Sequence, residues 1–148
     1  MKDLQIKGVL PAAVLPMTSD YEPDFKAYAH YLDWLVSQKA IAFAINMDTG
    51  EGPQLTAAER RKAAEVAVDV AGSRVGVVAG VSGATTNDAV AMARMYKEVG
   101  VGGLVVFPNA AFRNDPPDPR IPYEHHKAIA AATGLPIILF QLAPVFGG

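Results

Sequence analysis

The chain has 148 residues, of which 51% are hydrophobic, and a formal net charge of −2. This near-neutral balance argues against nucleic acid or an anionic membrane surface as the main partner. The absence of cysteine excludes disulfides, thiol catalysis and cysteine-ligated zinc. The amino terminus lacks a signal-peptide pattern and no apolar run approaches the roughly 20 residues that span a bilayer, so we expect a cytoplasmic protein.

Apolar runs of strand length alternate with helix patterns from one end of the chain to the other. The runs are rich in Val, Ile and Leu without polar alternation, which is typical of strands in a parallel sheet that are buried on both faces. They predict strands at residues 8–16, 40–47, 75–81, 102–108 and 136–143.

Helix patterns fill the intervals between these strands. Two of the helices begin with a capping box, in which a threonine is followed three residues later by an acid: Thr56 with Glu59, and Thr85 with Asp88. The predicted helices run over residues 24–38, from 56 onward, from 85 to just before Gly100, and over 123–133 with a stop at Gly134.

Five strands and four helices fit two parallel α/β architectures. One is an open, doubly wound sheet, and the other is part of a (β/α)8 TIM barrel. A whole barrel takes about 250 residues, so this chain would be a little over half of one. The chain ends after the last predicted strand without a helix to cover it, and we therefore expect a partial barrel, with residues 1–148 as its single N-terminal domain.

The turn after the second predicted strand is the best candidate for a ligand site. There an apolar run ends in Asp48, Thr49 and Gly50 before the next helix begins. In parallel α/β proteins the carboxyl ends of the strands line the ligand site, so these three residues are placed to hold a small anionic ligand. The alternative is an ordinary turn whose side-chain oxygens only satisfy backbone N–H groups.

The paired histidines His125 and His126 do not predict a metal site. Adjacent residues on a helix point about 100° apart, so the two rings do not chelate one ion together. With Glu124 they are more typical of a solvated helix start. We expect no metal.

Four stretches of the sequence, taken together, carry a family resemblance. They are residues 8–17, the Asp48-Thr49-Gly50-Glu51 turn with the helix start behind it, residues 78–86 and residues 134–140. In this order and at these separations they resemble the dihydrodipicolinate synthase / N-acetylneuraminate lyase family of (β/α)8 class I aldolases. The resemblance covers the whole chain, which would correspond to the first five strands of that barrel.

The resemblance implies a chemistry as well as a fold. In that family a lysine at the end of the sixth strand forms a Schiff base with pyruvate or a related 2-keto acid. The threonine turn holds the carboxylate of the keto acid, and a tyrosine on the fifth strand relays protons. A second tyrosine, after the fourth strand, reaches a neighbouring subunit. The resemblance thus implies a small 2-keto acid substrate, a homo-oligomer and no cofactor.

This chain departs from the family pattern at the positions that would carry catalysis. Asp48 stands where the family has the first threonine of the turn, while Thr49 and Gly50 match. The relay tyrosine aligns with Phe140, which has no hydroxyl, and the intersubunit tyrosine falls near Asn109. A carboxylate at position 48 would repel an anionic keto acid unless it binds another group or acts as a base.

None of the lysines is predicted at the carboxyl end of a strand, so the chain offers no Schiff-base lysine of its own. They lie before the first strand, within helices or between helix and strand: Lys2, Lys7, Lys26, Lys39, Lys62, Lys97 and Lys127. Three hypotheses follow. The chain is the N-terminal part of a 2-keto-acid lyase, truncated before that lysine; or a non-catalytic homologue that binds small anions or keto acids; or a self-associating half-barrel.

Overall fold

The computed structural model describes residues 7–113, 116 and 118–141, in which strands and helices alternate. Its strands pair in parallel in the order β1-β2-β3-β4. The elements are α1 (Phe25–Ser37), β1 (Ala42–Ile45), α2 (Ala57–Ala71), β2 (Gly76–Val81), α3 (Thr86–Val99), β3 (Gly103–Val106), α4 (Arg120–Thr133) and β4 (Ile137–Leu139), with 3₁₀ turns at Asp48–Gly50 and Ala110–Phe112. The predicted parallel α/β class is confirmed.

The helices pack on one face of the sheet. Strand residues such as Phe43 and Leu104 join buried residues of all four helices in the larger core cluster. Their neighbours Ala44 and Val105 face the other way, into a smaller cluster that contains no helix residue from the described part of the chain. A doubly wound sheet carries helices on both faces, whereas a barrel carries them outside and fills its interior with side chains. The arrangement therefore favours a barrel portion over an open sheet.

The first predicted strand, residues 8–16, is an extended segment beside β1 that makes a single parallel bridge, between Ala12 and Ala44. Ala44 N–H donates to the Pro11 carbonyl at 2.9 Å, and Ala13 N–H donates to the Ala44 carbonyl at 2.8 Å. Pro11 accepts but has no N–H to donate, so a continuous ladder does not form here. The prediction placed the segment correctly but was wrong about its regularity.

Both predicted capping boxes are present. Thr56 N–H donates to the Glu59 carboxylate at 2.8 Å, and Glu59 N–H donates back to the Thr56 hydroxyl at 3.2 Å. Thr85 and Asp88 repeat the arrangement at the start of α3. The hydrogen bonds from Thr56 lower the pKa of the Glu59 carboxyl. Local sequence thus sets where α2 and α3 begin.

The fourth helix begins at Arg120, three residues before the predicted start at Tyr123. Pro122 lies in its first turn, where the missing N–H has no intrahelical partner to lose. The helix ends as predicted at Gly134, which adopts a left-handed conformation. β4 is shorter than predicted, and residues 142–143 of that prediction lie outside the described ranges. Within those ranges, none of the helices has the length and apolar character required to traverse a membrane.

Candidate functional site

The predicted turn lies where the sequence placed it, directly after the carboxyl end of β1. Asp48 and Thr49 are exposed, and Gly50 is buried. Within the described ranges neither exposed side chain has a hydrogen-bond or ion-pair partner, so both are available to a ligand. The turn therefore presents a carboxylate and a hydroxyl at the edge of the sheet where ligands bind in parallel α/β proteins.

Gly50 allows this turn to lie against the segment that precedes α1. A Cβ atom at position 50 would lie 2.7 Å from the Ala13 carbonyl oxygen, closer than side-chain carbons approach such atoms. The Gly50 N–H donates to the Met47 carbonyl at 3.0 Å, as does that of Gly52. The structure thus gives Gly50 a packing role, while the predicted contact of Gly50 with a ligand stays a prediction.

A buried polar group behind the turn was missed by the sequence analysis. Asn46 is only 6% exposed, and its side-chain amide donates to the Arg60 carbonyl at 3.0 Å and to the Tyr96 hydroxyl at 2.9 Å. Burial raises the pKa of Tyr96 to about 12, so its phenol is neutral near neutral pH. The sequence shows an asparagine at the end of an apolar run, which indicates a buried polar group. It does not show that the partner of this side chain is Tyr96 on α3.

Phe140 follows β4 at the same carboxyl edge of the sheet, separated from the turn by β2 and β3. Its ring packs against Phe107 with the centroids 4.7 Å apart, and its N–H donates to the Val106 carbonyl at 3.2 Å. The side chain is 36% exposed. Phe140 is therefore an aromatic wall at the strand ends, and without a hydroxyl it transfers no proton.

The expectation of a solvated helix start was wrong for His125. The ring is buried, and its Nδ1 lies 3.0 Å from the Thr86 hydroxyl and 3.3 Å from the Asn109 side-chain amide. Phe112 packs edge-on against it, with the centroids 5.3 Å apart. The contacts that bury it come from α3 and from the loop after β3, which local sequence does not reveal. The described part of the chain holds no cluster of three or more potential metal-ligating residues.

This burial predicts a pH dependence of stability. Burial, with a smaller contribution from the charge of His126, lowers the pKa of His125 from its ordinary value of 6.5. The unfolded chain then binds a proton more readily than the folded one, so the free energy of unfolding falls as the pH drops below about 6.5. Urea titrations between about pH 7 and pH 5 measure the slope. The His125→Gln variant is expected to flatten it, whereas an unchanged slope contradicts the assignment to His125. His30→Gln, which replaces an exposed histidine on α1, serves as the control.

Comparison with known proteins places this chain in a family. The sequence profile of the Dihydrodipicolinate synthetase family matches residues 5–146. The chain belongs to this family. The 4-hydroxy-tetrahydrodipicolinate synthase of Gluconacetobacter diazotrophicus is 34% identical over 142 residues, which cover 96% of this chain and 47% of that protein.

Solved structures of the dihydrodipicolinate synthetase family share the fold. The dihydrodipicolinate synthase of Aquifex aeolicus matches with a TM-score of 0.83 at 32% identity, over 93% of this chain and 45% of that one. YagE from Escherichia coli K12, solved in complex with pyruvate, matches with a TM-score of 0.86 at 22% identity, over 96% of this chain and 47% of its own. The chain thus has the fold of one part of a TIM barrel and spans about half the length of its curated relatives.

Proposed function

We propose that this chain, residues 1–148 as one domain, is the N-terminal portion of a 2-keto-acid lyase, an aldolase or a dehydratase. In this proposal the turn formed by Asp48, Thr49 and Gly50 binds the substrate, and the Thr49 hydroxyl holds the substrate carboxylate. The observation that supports it most is the pair of exposed side chains on this turn, at the carboxyl end of β1, which have no partner among the residues that the structure describes. The pyruvate bound in the related structure of YagE supports a keto acid as the ligand class.

The proposed chemistry divides between this chain and the remainder of a full barrel. A lysine supplied from outside residues 1–148 would attack the C2 carbonyl of the keto acid, whose oxygen leaves as water while a C=N bond forms. The Thr49 hydroxyl would donate a hydrogen bond to the carboxylate and fix the carbonyl for attack. Because Phe140 has no hydroxyl, another group must move protons, and Asp48 is the titratable residue of the turn.

Among the described residues β4 pairs with β3 alone, which supports the barrel-portion proposal. An apolar groove of about 380 Å³ lies beside this strand. Leu139 on β4 is 69% exposed and Tyr123 on α4 is 63% exposed, although both are large hydrophobic residues. The groove is lined by Pro122, Tyr123, His126, Lys127, Ala130, Ile137 and Leu139. A further parallel strand with its helix would cover this surface and satisfy the unpaired strand edge.

We also propose a cytoplasmic homo-oligomer that binds neither nucleic acid nor membranes. The net charge of −2 supports the last two points, since polyanionic partners select strongly basic surfaces. The family resemblance supports oligomerisation. Size-exclusion chromatography with light scattering on the full-length gene product tests it, and a strictly monomeric species would contradict the oligomer.

Borohydride trapping tests the proposed covalent chemistry. The full-length gene product is incubated with pyruvate and sodium borohydride, and the modified lysine is mapped by mass spectrometry. We expect one reduced adduct, on a lysine outside residues 1–148. Lactate, which has the carboxylate but a hydroxyl in place of the C2 keto group, serves as the control and should give none. A protein that stays unmodified with pyruvate would contradict the Schiff-base mechanism.

A second candidate function is non-catalytic binding of a small keto acid. It is favoured by the two replacements, Asp48 for a threonine and Phe140 for the relay tyrosine. Isothermal titration calorimetry with pyruvate, combined with the borohydride trapping, separates the candidates. Both candidates would bind pyruvate in the calorimeter, but a binding homologue would give no trapped adduct. Undetectable binding at millimolar pyruvate would count against both.

A further inference from the structure

The chain reverses direction at Asn46, between β1 and the turn that carries Asp48 and Thr49. Asn46 has φ +51°, in the left-handed region that L-residues other than asparagine and aspartate avoid. Its carbonyl oxygen lies in a crowded place, since a Cβ atom at Gly52 or at Gly80 would fall within 2.6 Å of it. The backbone before the turn is therefore held in one conformation by contacts on two sides.

The side chain of Asn46 ties this reversal to two helices. Its amide nitrogen donates to the Arg60 carbonyl on α2 at 3.0 Å and to the Tyr96 hydroxyl on α3 at 2.9 Å. Both hydrogens of the amide are thus used inside the protein, with Asn46 6% exposed and Tyr96 fully buried. A buried donor that loses its acceptor is costly, so these bonds resist displacement of the loop.

Arg60 closes the other end of the same loop. Its guanidinium donates to the Gly52 carbonyl at 2.8 Å and to the Leu55 carbonyl at 2.9 Å. The segment from Asn46 to Leu55 is therefore hydrogen-bonded to Arg60 of α2 near both of its ends, to the backbone carbonyl at one end and to the guanidinium at the other. The exposed turn lies between these two sets of hydrogen bonds.

We propose that Asn46 and Tyr96 are positioning residues for the ligand-binding turn, although neither touches the ligand. Their hydrogen bond fixes the start of the turn against α3 and so sets the direction of the Thr49 hydroxyl. This inference rests on the proposed function for the identity of the ligand. The geometry of the turn itself is testable without any ligand.

Two variants of the full-length gene product isolate the hydrogen bonds from the backbone. Tyr96→Phe removes only the acceptor hydroxyl. Asn46→Gly removes the amide but keeps the left-handed conformation accessible. Ile129→Val, in the buried core of α4, is the matched control for a loss of stability away from the turn. Pyruvate affinity is measured by calorimetry, and amide hydrogen exchange is followed at Gly50 and Gly52, whose N–H groups both donate to the Met47 carbonyl.

We expect Tyr96→Phe to weaken pyruvate binding by about threefold to tenfold, the usual range for one intramolecular hydrogen bond, and to speed exchange at Gly50 and Gly52. Asn46→Gly should have the larger effect on both, and Ile129→Val should change neither. Unchanged exchange in both turn variants overturns the inference. Faster exchange in a protein whose wild type does not bind pyruvate supports the positioning role but overturns the keto acid as the ligand.

Discussion

Replacing Gly52 with alanine is expected to destabilise the protein by about 3 kcal/mol, the upper end of the usual range for overpacking. The added Cβ would lie 2.1 Å from the Asn46 carbonyl oxygen and 2.5 Å from its carbonyl carbon. These are backbone atoms, and the hydrogen bonds of the Asn46 side chain to α2 and α3 prevent them from moving aside. The clash therefore has to be relieved by displacing the loop.

Urea unfolding of the two proteins measures this cost. Gly102→Ala is the matched control, because its Cβ would meet its nearest neighbour, the Val77 carbonyl oxygen, at an ordinary 3.5 Å. A Gly52→Ala variant as stable as the control would show that the loop is loose where the structure shows it tightly packed. If Gly52→Ala is the less stable variant, we also expect it to bind the ligand more weakly, because the displaced loop carries the turn.

Asp48→Thr is expected to tighten pyruvate binding by about tenfold. The substitution removes a negative charge beside the proposed position of the substrate carboxylate and restores the residue that the family pattern has there. Two like charges about 5 Å apart repel by roughly 1 kcal/mol in water and by roughly 3 kcal/mol at a partly shielded protein surface. A tenfold change in affinity corresponds to about 1.4 kcal/mol. Because Asp48 is exposed, the effect should lie toward the lower end of this range.

Two controls separate charge from shape in this prediction. Asp48→Asn removes the charge but keeps the size of the side chain, so it should recover most of the gain. Asp69→Asn removes an exposed charge on α2, away from the turn, and should leave pyruvate binding unchanged. Weaker binding by both position-48 variants would mean that the carboxylate contacts a positive or hydrogen-donating part of the ligand instead.

Features with a local cause were readable from the sequence. The starts of α2 and α3 follow from side chains three residues apart, and the end of α4 follows from a left-handed glycine. The apolar character of residues 8–16 predicts a strand, but Pro11 has no N–H to donate, and only one parallel bridge forms, between Ala12 and Ala44. The predicted start of α4 at Tyr123 is three residues too late, because the first turn of a helix accepts a proline such as Pro122.

Features that depend on distant contacts were not readable. Asn46 and Tyr96 are 50 positions apart, and the hydrogen bond between their side chains forms only in the folded chain. The burial of His125 likewise depends on Thr86, 39 positions earlier. The position of all the helices on one face of the sheet is also a tertiary property. Strands of a barrel and of an open sheet have the same kind of apolar sequence, so the strand sequences do not distinguish the two folds. The sequence predicts the position of the candidate turn, whereas the hydrogen bonds of Asn46 to Arg60 and Tyr96 behind it depend on the tertiary fold.

A crystal structure of the full-length gene product with bound pyruvate tests the central claim most directly. We predict that the carboxylate of pyruvate lies within hydrogen-bond distance of the Thr49 hydroxyl, with its C2 carbon facing a lysine from outside residues 1–148. Pyruvate bound with its carboxylate away from the turn, and Thr49 left without a contact to it, would contradict the account.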